Sequence, residues 1–375
     1  LVTPREESHS LYFHIPFCTK KCPYCHFYVI PNKPDLRQTY LGALEREWNL
    51  RLPLLEGKKI VSVYFGGGTP TLLPKEDLRT ILSWLKPLHL SPDCEITIEG
   101  NPEELNLPLL EALRALGINR LSLGVQSLDD SSLEVLGRTH SAKRAKEAIL
   151  DAHLAGFENI SIDLMYDLPW QTETTWQKTL EATRNLPISH LSLYNLTIEP
   201  HTAFFKKKEL LQKVIPKDEE SLRLLQMAIQ DIEKAGLKRY EISAFAKEGC
   251  QSRHNTGYWI GRPFLGFGPS AFSYWEGKRF RNIAHLQRYS QMLLEGQIPV
   301  DFEEELSYPD NVHELLAIGL RLFEGVNKNR WKLPKETLDL LNRLEQEGFL
   351  EQQDDTIRLT ARGTLFYDTV AEELI

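Results

Sequence analysis

The sequence predicts an α/β fold: an open (partial) β/α barrel of six parallel strands followed by a small C-terminal α+β module. Three observations predict it. Short β-rich segments recur every few tens of residues with amphipathic stretches between them, the rhythm of a parallel sheet with helical crossovers. Those segments alternate at period two between an apolar and a polar face. From about Pro309 the pattern changes to two helical periods and a short hairpin.

The strands read as Leu11 to Pro16, Ile60 to Phe65, Glu95 to Glu99, Arg120 to Gln126, Asn159 to Met165 and His190 to Asn195. Leu116-Gly117 and Ala155-Gly156 end helices just before the next strand, and right-handed crossovers curl the sheet. One strand face carries Leu11, Phe13, Ile15, Val63, Phe65, Ile98, Leu121, Ile160 and Leu191, and belongs under the helices. The other carries Tyr12, His14, Tyr64, Glu99, Gln126, Asp163 and Tyr194. An ordinary closed barrel is filled with branched apolar side chains, so a polar face in six successive strands predicts a wet cavity that receives something polar. The chain divides into a barrel core at 1–200, an extension at 201–308 and a final unit at 309–375. That last unit reads as winged-helix-like: helical periods at Val312 to Phe323 and Lys335 to Glu347, a turn at Asp354-Asp355, a strand at Ile357 to Thr360 and a last helix from Gly363.

Composition narrows the function. With 375 residues and 42% hydrophobic content the chain can bury a large core. The net charge of −8 is spread without like-charge blocks, which argues against a nucleic-acid surface even in the acidic winged-helix-like unit. No apolar run approaches the ~20 residues that cross a bilayer, and the polar start, Leu1 to Ser10, is unlike a signal peptide, so the expected location is cytoplasmic. Five cysteines do not form an even extracellular disulfide set. Cys94 and Cys250 read as ordinary buried thiols.

The other three sit together in Cys18-Thr19-Lys20-Lys21-Cys22-Pro23-Tyr24-Cys25, directly after the first strand. Thiolates at this spacing suit an iron-sulfur cluster or zinc. A structural zinc needs a fourth ligand, and His26 adjoins Cys25 too closely to complete a tetrahedron easily. A Cys22–Cys25 redox pair is a further reading, but it leaves Cys18 unexplained. Gly66-Gly67-Gly68-Thr69-Pro70 ends the second strand with backbone free of side chains, which lets a ligand approach closely.

With these motifs in place, the sequence resembles the radical-SAM superfamily, whose signature is C-x-x-x-C-x-x-C after a first strand. The resemblance implies a 4Fe-4S cluster on Cys18, Cys22 and Cys25, with S-adenosylmethionine chelating the fourth iron through its amino and carboxylate groups. It implies reductive cleavage of the sulfonium bond to a deoxyadenosyl radical. It further implies that Tyr12 and Tyr24 flank the cluster and adenine, that Gly67, Gly68 and Thr69 meet the methionine moiety, and that Arg138 takes the carboxylate. Glu99, Gln126 and Asp163 would reach the amino group and the ribose hydroxyls.

Over nearly its whole length the chain is similar to the oxygen-independent coproporphyrinogen dehydrogenase family. The carrying segments are Leu11 to Cys18, Gly124 to Ser127, Ile162 to Pro169 and Leu359 to Gly363. The dehydrogenases resemble C-x-x-x-C-x-x-C-x-C with a longer N-terminal arm; here Phe27 stands at the last cysteine position and ten residues precede the first strand. His254-Asn255-Thr256-Gly257-Tyr258-Trp259 instead matches the H-N-x-x-Y-W signature of the haem-binding branch. The resemblance therefore implies a haem chaperone, with His254 and Tyr258 contacting haem, and haem-acceptor proteins as partners. An electron donor, peripheral contact with membrane-bound acceptors and a homodimer go with that reading. The alternative is oxidative decarboxylation of coproporphyrinogen III.

Overall fold

The computed structural model describes residues 8–375; of the polar start read at Leu1 to Ser10, residues 1–7 lie outside them. Among the described residues the main sheet has twelve strands. In chain order they are β1 (Ser8–Ile15), β2 (Lys59–Gly67), β3 (His89–Gly100), β4 (Arg120–Gln126), β5 (Asn159–Tyr166), β6 (His190–Asn195), β7 (Lys238–Glu241), β8 (Ala244–Ala246), β9 (Phe264–Phe267), β10 (Phe272–Trp275), β11 (Lys278–Asn282) and β12 (Val300–Glu305). Their order in space is β12-β11-β10-β9-β1-β2-β3-β4-β5-β6-β8-β7.

The six expected strands, β1 to β6, form one uninterrupted parallel run. A seventh parallel strand, β9, pairs with β1 on its other side, Leu11 opposite Leu265 and Phe13 opposite Phe267. Sequence reading gives no strand here, because four residues are too few to show a period. The antiparallel strands β10 to β12 continue that edge, and β8 and β7 continue the other.

The alternation read from sequence becomes rows of side chains across the sheet. Phe13, Phe65, Ile98, Leu121 and Ile160 lie opposite one another in register, are all buried, and join one core under the helices. On the other face many polar groups are buried and paired, as in the hydrogen bonds from Ser62 Oγ to Ser10 Oγ at 2.8 Å and between Ser161 Oγ and His190 Nδ1 at 2.8 Å. The cavity is thus wet only toward the C-terminal strand ends; the opposite end is closed by hydrogen-bonded polar side chains. Cys94 is buried as expected, whereas Cys250 sits half-exposed on a turn and is not a core thiol.

The C-terminal unit has its own apolar cluster, including Leu316, Leu341, Leu344, Leu350, Ile357 and Val370. Helices Asp310–Gly319 and Lys335–Gln346 pack there with the hairpin Leu350–Gln353 and Thr356–Leu359, and Val326–Asn327 adds a third strand to that hairpin. The last helical stretch is divided in two, Ala361–Leu365 and Tyr367–Leu374.

Glu47, on helix Pro34–Arg51, ties the barrel to the extension. Its Oε1 accepts from Asn282 Nδ2 at 2.7 Å and pairs with Arg51 Nε at 3.1 Å; its Oε2 accepts from Gly268 N at 2.7 Å and Tyr289 Oη at 2.6 Å. All of these side chains are buried. Removing one partner of such a buried pair strands the other charge. Glu47→Ala is therefore expected to lower stability by about 3–5 kcal/mol in urea unfolding; a loss under about 1 kcal/mol would contradict this reading of the contact.

Candidate cofactor site

The site begins with backbone. The chain leaves β1 at Ile15, and the glycine loop at the end of β2 lies against it: Gly68 N donates to Ile15 O at 2.8 Å and Thr69 N to Phe17 O at 2.7 Å. The approach is so close that a Cβ on Gly68 would stand 2.6 Å from Phe17 O. At Gly67, φ is +111°, and a Cβ there would lie 2.6 Å from the His14 ring. These two glycines are thus required by the packing of the cysteine segment, a demand separate from any ligand.

Cys18, Cys22 and Cys25 are half-exposed on the following loop, which is closed by hydrogen bonds from Cys25 N to Cys22 O at 3.2 Å and from Asn32 N to Cys18 O at 3.2 Å. They line a cavity of about 440 Å³ together with Tyr24, Gly67, Gly68, Thr69, Glu99, Gln126, Arg138 and Asp163. Eleven of the sequence-derived site residues therefore meet at one cavity, from strands β2 to β5 and from the segments that follow β1, β2 and β4. Gln126 reaches it through an irregularity: the β4–β5 register shifts between Leu123 and Gln126, and Gln126 has φ +66°.

Burial pushes the Cys18 thiol up to about 11, against a hydrogen bond with Thr69 Oγ1 at 3.6 Å, and raises Cys25 as well. A cationic metal centre reverses such a shift, because coordination favours thiolate. Among the described residues no three His, Cys, Asp or Glu side chains gather closely enough to share a single ion. Three half-exposed thiols on one loop, facing a polar cavity, fit a cluster with an open iron.

The cavity wall is polarised. Glu99 accepts from Tyr64 Oη at 2.7 Å and from Gly67 N at 3.1 Å, and burial raises it to about 7. Burial raises Asp163 to about 6. Burial alone would lower Arg138, but Tyr24, Cys22 and Glu103 around it keep it firmly charged. Its Nη1 donates to Cys22 Sγ at 3.5 Å; its Nη2 donates to Asn101 Oδ1 at 2.6 Å and Gly124 O at 2.8 Å. Its Nε is buried with no partner. Two carboxyls that ionise on meeting a cation, beside a fixed guanidinium, suit a zwitterionic amino-acid head group. S-adenosylmethionine has that head, and bound to a reduced cluster it supplies radical chemistry. The residues present fit both groups: Cys18, Cys22 and Cys25 would hold the cluster, and Glu99, Arg138 and the glycine loop the methionine end.

Three sequence-derived residues are placed elsewhere. Tyr12 does not line the cavity; its ring stacks on Tyr64 at 6.2 Å and its hydroxyl meets His14 Nδ1 at 3.1 Å. His254 lies inside the barrel below them, 1% exposed, with Nδ1 on Ser62 Oγ at 3.0 Å and Nε2 on Tyr258 Oη at 2.8 Å. Burial lowers it to about 3, so it is neutral. Its helix, Arg253–Trp259, is anchored where Glu95 accepts from the backbone nitrogens of Arg253 and His254, both at 3.0 Å. Trp259 instead faces the C-terminal unit, with the Arg321 guanidinium 4.3 Å from its ring centroid. Asn101 lines the cavity and sequence reading missed it; Glu99-Gly100-Asn101, a polar tripeptide leaving β3, was the available signal.

With this geometry established, comparisons give the class. The model of the Radical SAM superfamily matches residues 12–183, and that of the HemN C-terminal domain matches residues 306–366. Coproporphyrinogen III oxidase (HemN) from Escherichia coli, a radical SAM enzyme, superposes with a TM-score of 0.86 at 28% identity, covering 98% of this chain and 90% of that one. Heme chaperone HemW of Bacillus subtilis is 33% identical over 371 residues, 96% of this chain and 97% of the relative. Radical S-adenosyl methionine domain-containing protein 1, mitochondrial, of Danio rerio is 32% identical, over 98% of this chain and 86% of the relative. The fold is that of the radical-SAM superfamily. Within that superfamily the chain belongs to the HemW family.

Two results are expected. Cys18→Ala, Cys22→Ala and Cys25→Ala each abolish the iron and sulfide taken up on anaerobic reconstitution; near-complete uptake by any of them would remove that cysteine from the ligand set. The second concerns pH. Glu99 holds its proton more tightly when folded (about 7) than its ordinary value of 4.5, so the protonated form favours folding fully at low pH and that contribution is lost as pH rises through about 7. Thermal unfolding of the apoprotein should show Glu99→Gln gaining on the wild type between pH 5 and pH 8; parallel curves would contradict the raised value.

Proposed function

We propose that this protein is a haem chaperone with a radical-SAM core, binding a 4Fe-4S cluster, S-adenosylmethionine and haem and passing haem to acceptor proteins. The observation that carries it is the end-to-end likeness to curated heme chaperones. Phe27, 53% exposed at the cavity, supports it, because it stands where the dehydrogenases carry a further cysteine. The proposed parts are the barrel core at 1–200, the extension at 201–308 and the C-terminal unit at 309–375. No helix among the described residues is long and apolar enough to cross a membrane, and a cytoplasmic setting with an electron donor and haem acceptors is part of the same proposal.

His254 and Tyr258 are the proposed haem contact on the strength of the H-N-x-x-Y-W match. Their burial adds a condition: helix Arg253–Trp259 must release Ser62 and Glu95 before the imidazole can meet a haem iron. The second reading, coproporphyrinogen III oxidation, is favoured by the superposition with HemN.

Haem titration of the reconstituted protein tests the first reading. Tight haem binding is expected, weakened roughly tenfold and spectrally altered in His254→Ala, together with transfer to an apo-haem acceptor. Unchanged spectrum and affinity in the variant would place haem elsewhere. Vinyl product from coproporphyrinogen III under reducing anaerobic conditions would establish the second reading instead.

A further inference from the structure

Two short segments grip each other at the mouth of the cavity. Asn101-Pro102-Glu103 leaves β3, and Arg138-Thr139-His140 follows the short helix Asp130–Val135. Asn101 Oδ1 accepts from Arg138 Nη2 at 2.6 Å, while Asn101 Nδ2 donates to Thr69 Oγ1 at 2.9 Å. Pro102 O accepts from Arg144 Nε at 3.1 Å. Glu103 takes the two residues after Arg138: its Oε1 accepts from Thr139 Oγ1 at 2.6 Å and its Oε2 lies 3.0 Å from His140 Nδ1.

His140 is held from both sides. Its Nε2 lies 3.1 Å from Val125 O, and its side chain is wholly buried beside Glu103. Burial alone would raise Glu103, but the hydrogen bonds from His140 and Thr139 outweigh it and hold the carboxyl down to about 2.

This clasp governs one side chain above all. Arg138 is drawn toward Cys22 Sγ on one side and Asn101 on the other, and Asn101 also reaches Thr69, whose hydroxyl meets Cys18 Sγ. A free arginine samples many rotamers, and a ligand must otherwise bear that ordering cost on binding. We infer that Asn101 and the hydrogen-bonded pair Glu103 and His140 are positioning residues: they hold the Arg138 guanidinium ready for a ligand carboxylate, that of S-adenosylmethionine. The inference rests on the cofactor reading of the cavity given above.

The test compares S-adenosylmethionine with decarboxylated S-adenosylmethionine, by calorimetry on anaerobically reconstituted protein whose iron content is checked first. The wild type is expected to prefer the ligand that keeps its carboxylate. Asn101→Ala and Glu103→Gln should each weaken S-adenosylmethionine binding roughly tenfold and leave the decarboxylated ligand's affinity unchanged, so that the preference narrows by the same factor while cluster content stays. Wild-type affinity for S-adenosylmethionine in both variants overturns the inference and leaves the cofactor reading intact. Equal weakening of both ligands also overturns it, because a merely structural role does that. A wild type that binds neither ligand overturns the cofactor reading itself, and the inference with it.

Discussion

Two backbone hydrogen bonds, Gly68 N to Ile15 O and Thr69 N to Phe17 O, hold the glycine loop against the segment that launches the cysteines. They exist because β1 and β2 are parallel neighbours in register, His14 opposite Gly66 and Ile15 opposite Gly67, so both strands end at one level. Any side chain at position 68 would collide with Phe17 O. The cysteine segment and the glycine loop are thus one rigid unit, which is what a ligand bridging a metal cluster and protein side chains would require.

Around that unit the charges are arranged in advance. Glu99 and Asp163 are held high by burial, ready to ionise against a cation, while Arg138 stays charged and Glu103 keeps its negative charge through His140 and Thr139. The other end of the barrel uses its polar groups differently. His190 and His254 are held neutral by burial and hydrogen-bonded on both sides, which closes that end. The same strands therefore supply a reactive mouth and a satisfied floor.

Sequence reading saw both of these as one polar face. Period two tells which side of a strand a residue is on, but not how far along the barrel axis it sits or whether a neighbour takes up its polar atoms. Glu99 and Asp163 were legible as polar positions on that face; what nothing in the chain reveals is that Tyr64 packs on Tyr12 and that Ser62 and Tyr258 take up both ring nitrogens of His254. The short strand β9 was missed because its partner, β1, is some 250 residues away in sequence and only pairing defines it. Asn101 went unread for a similar reason, since its role depends on Thr69 and Arg138 arriving from separate loops. The cysteine spacing needed no such help: three ligands within eight residues carry their geometry locally.

The three thiols are proposed to hold a cluster whose open iron takes S-adenosylmethionine. Electron paramagnetic resonance of the reconstituted, reduced protein, recorded before and after adding S-adenosylmethionine, tests it most directly. The predicted result is a reduced 4Fe-4S signal whose g values shift when the ligand is added. A protein that gives no cluster signal, or one indifferent to S-adenosylmethionine, would contradict it.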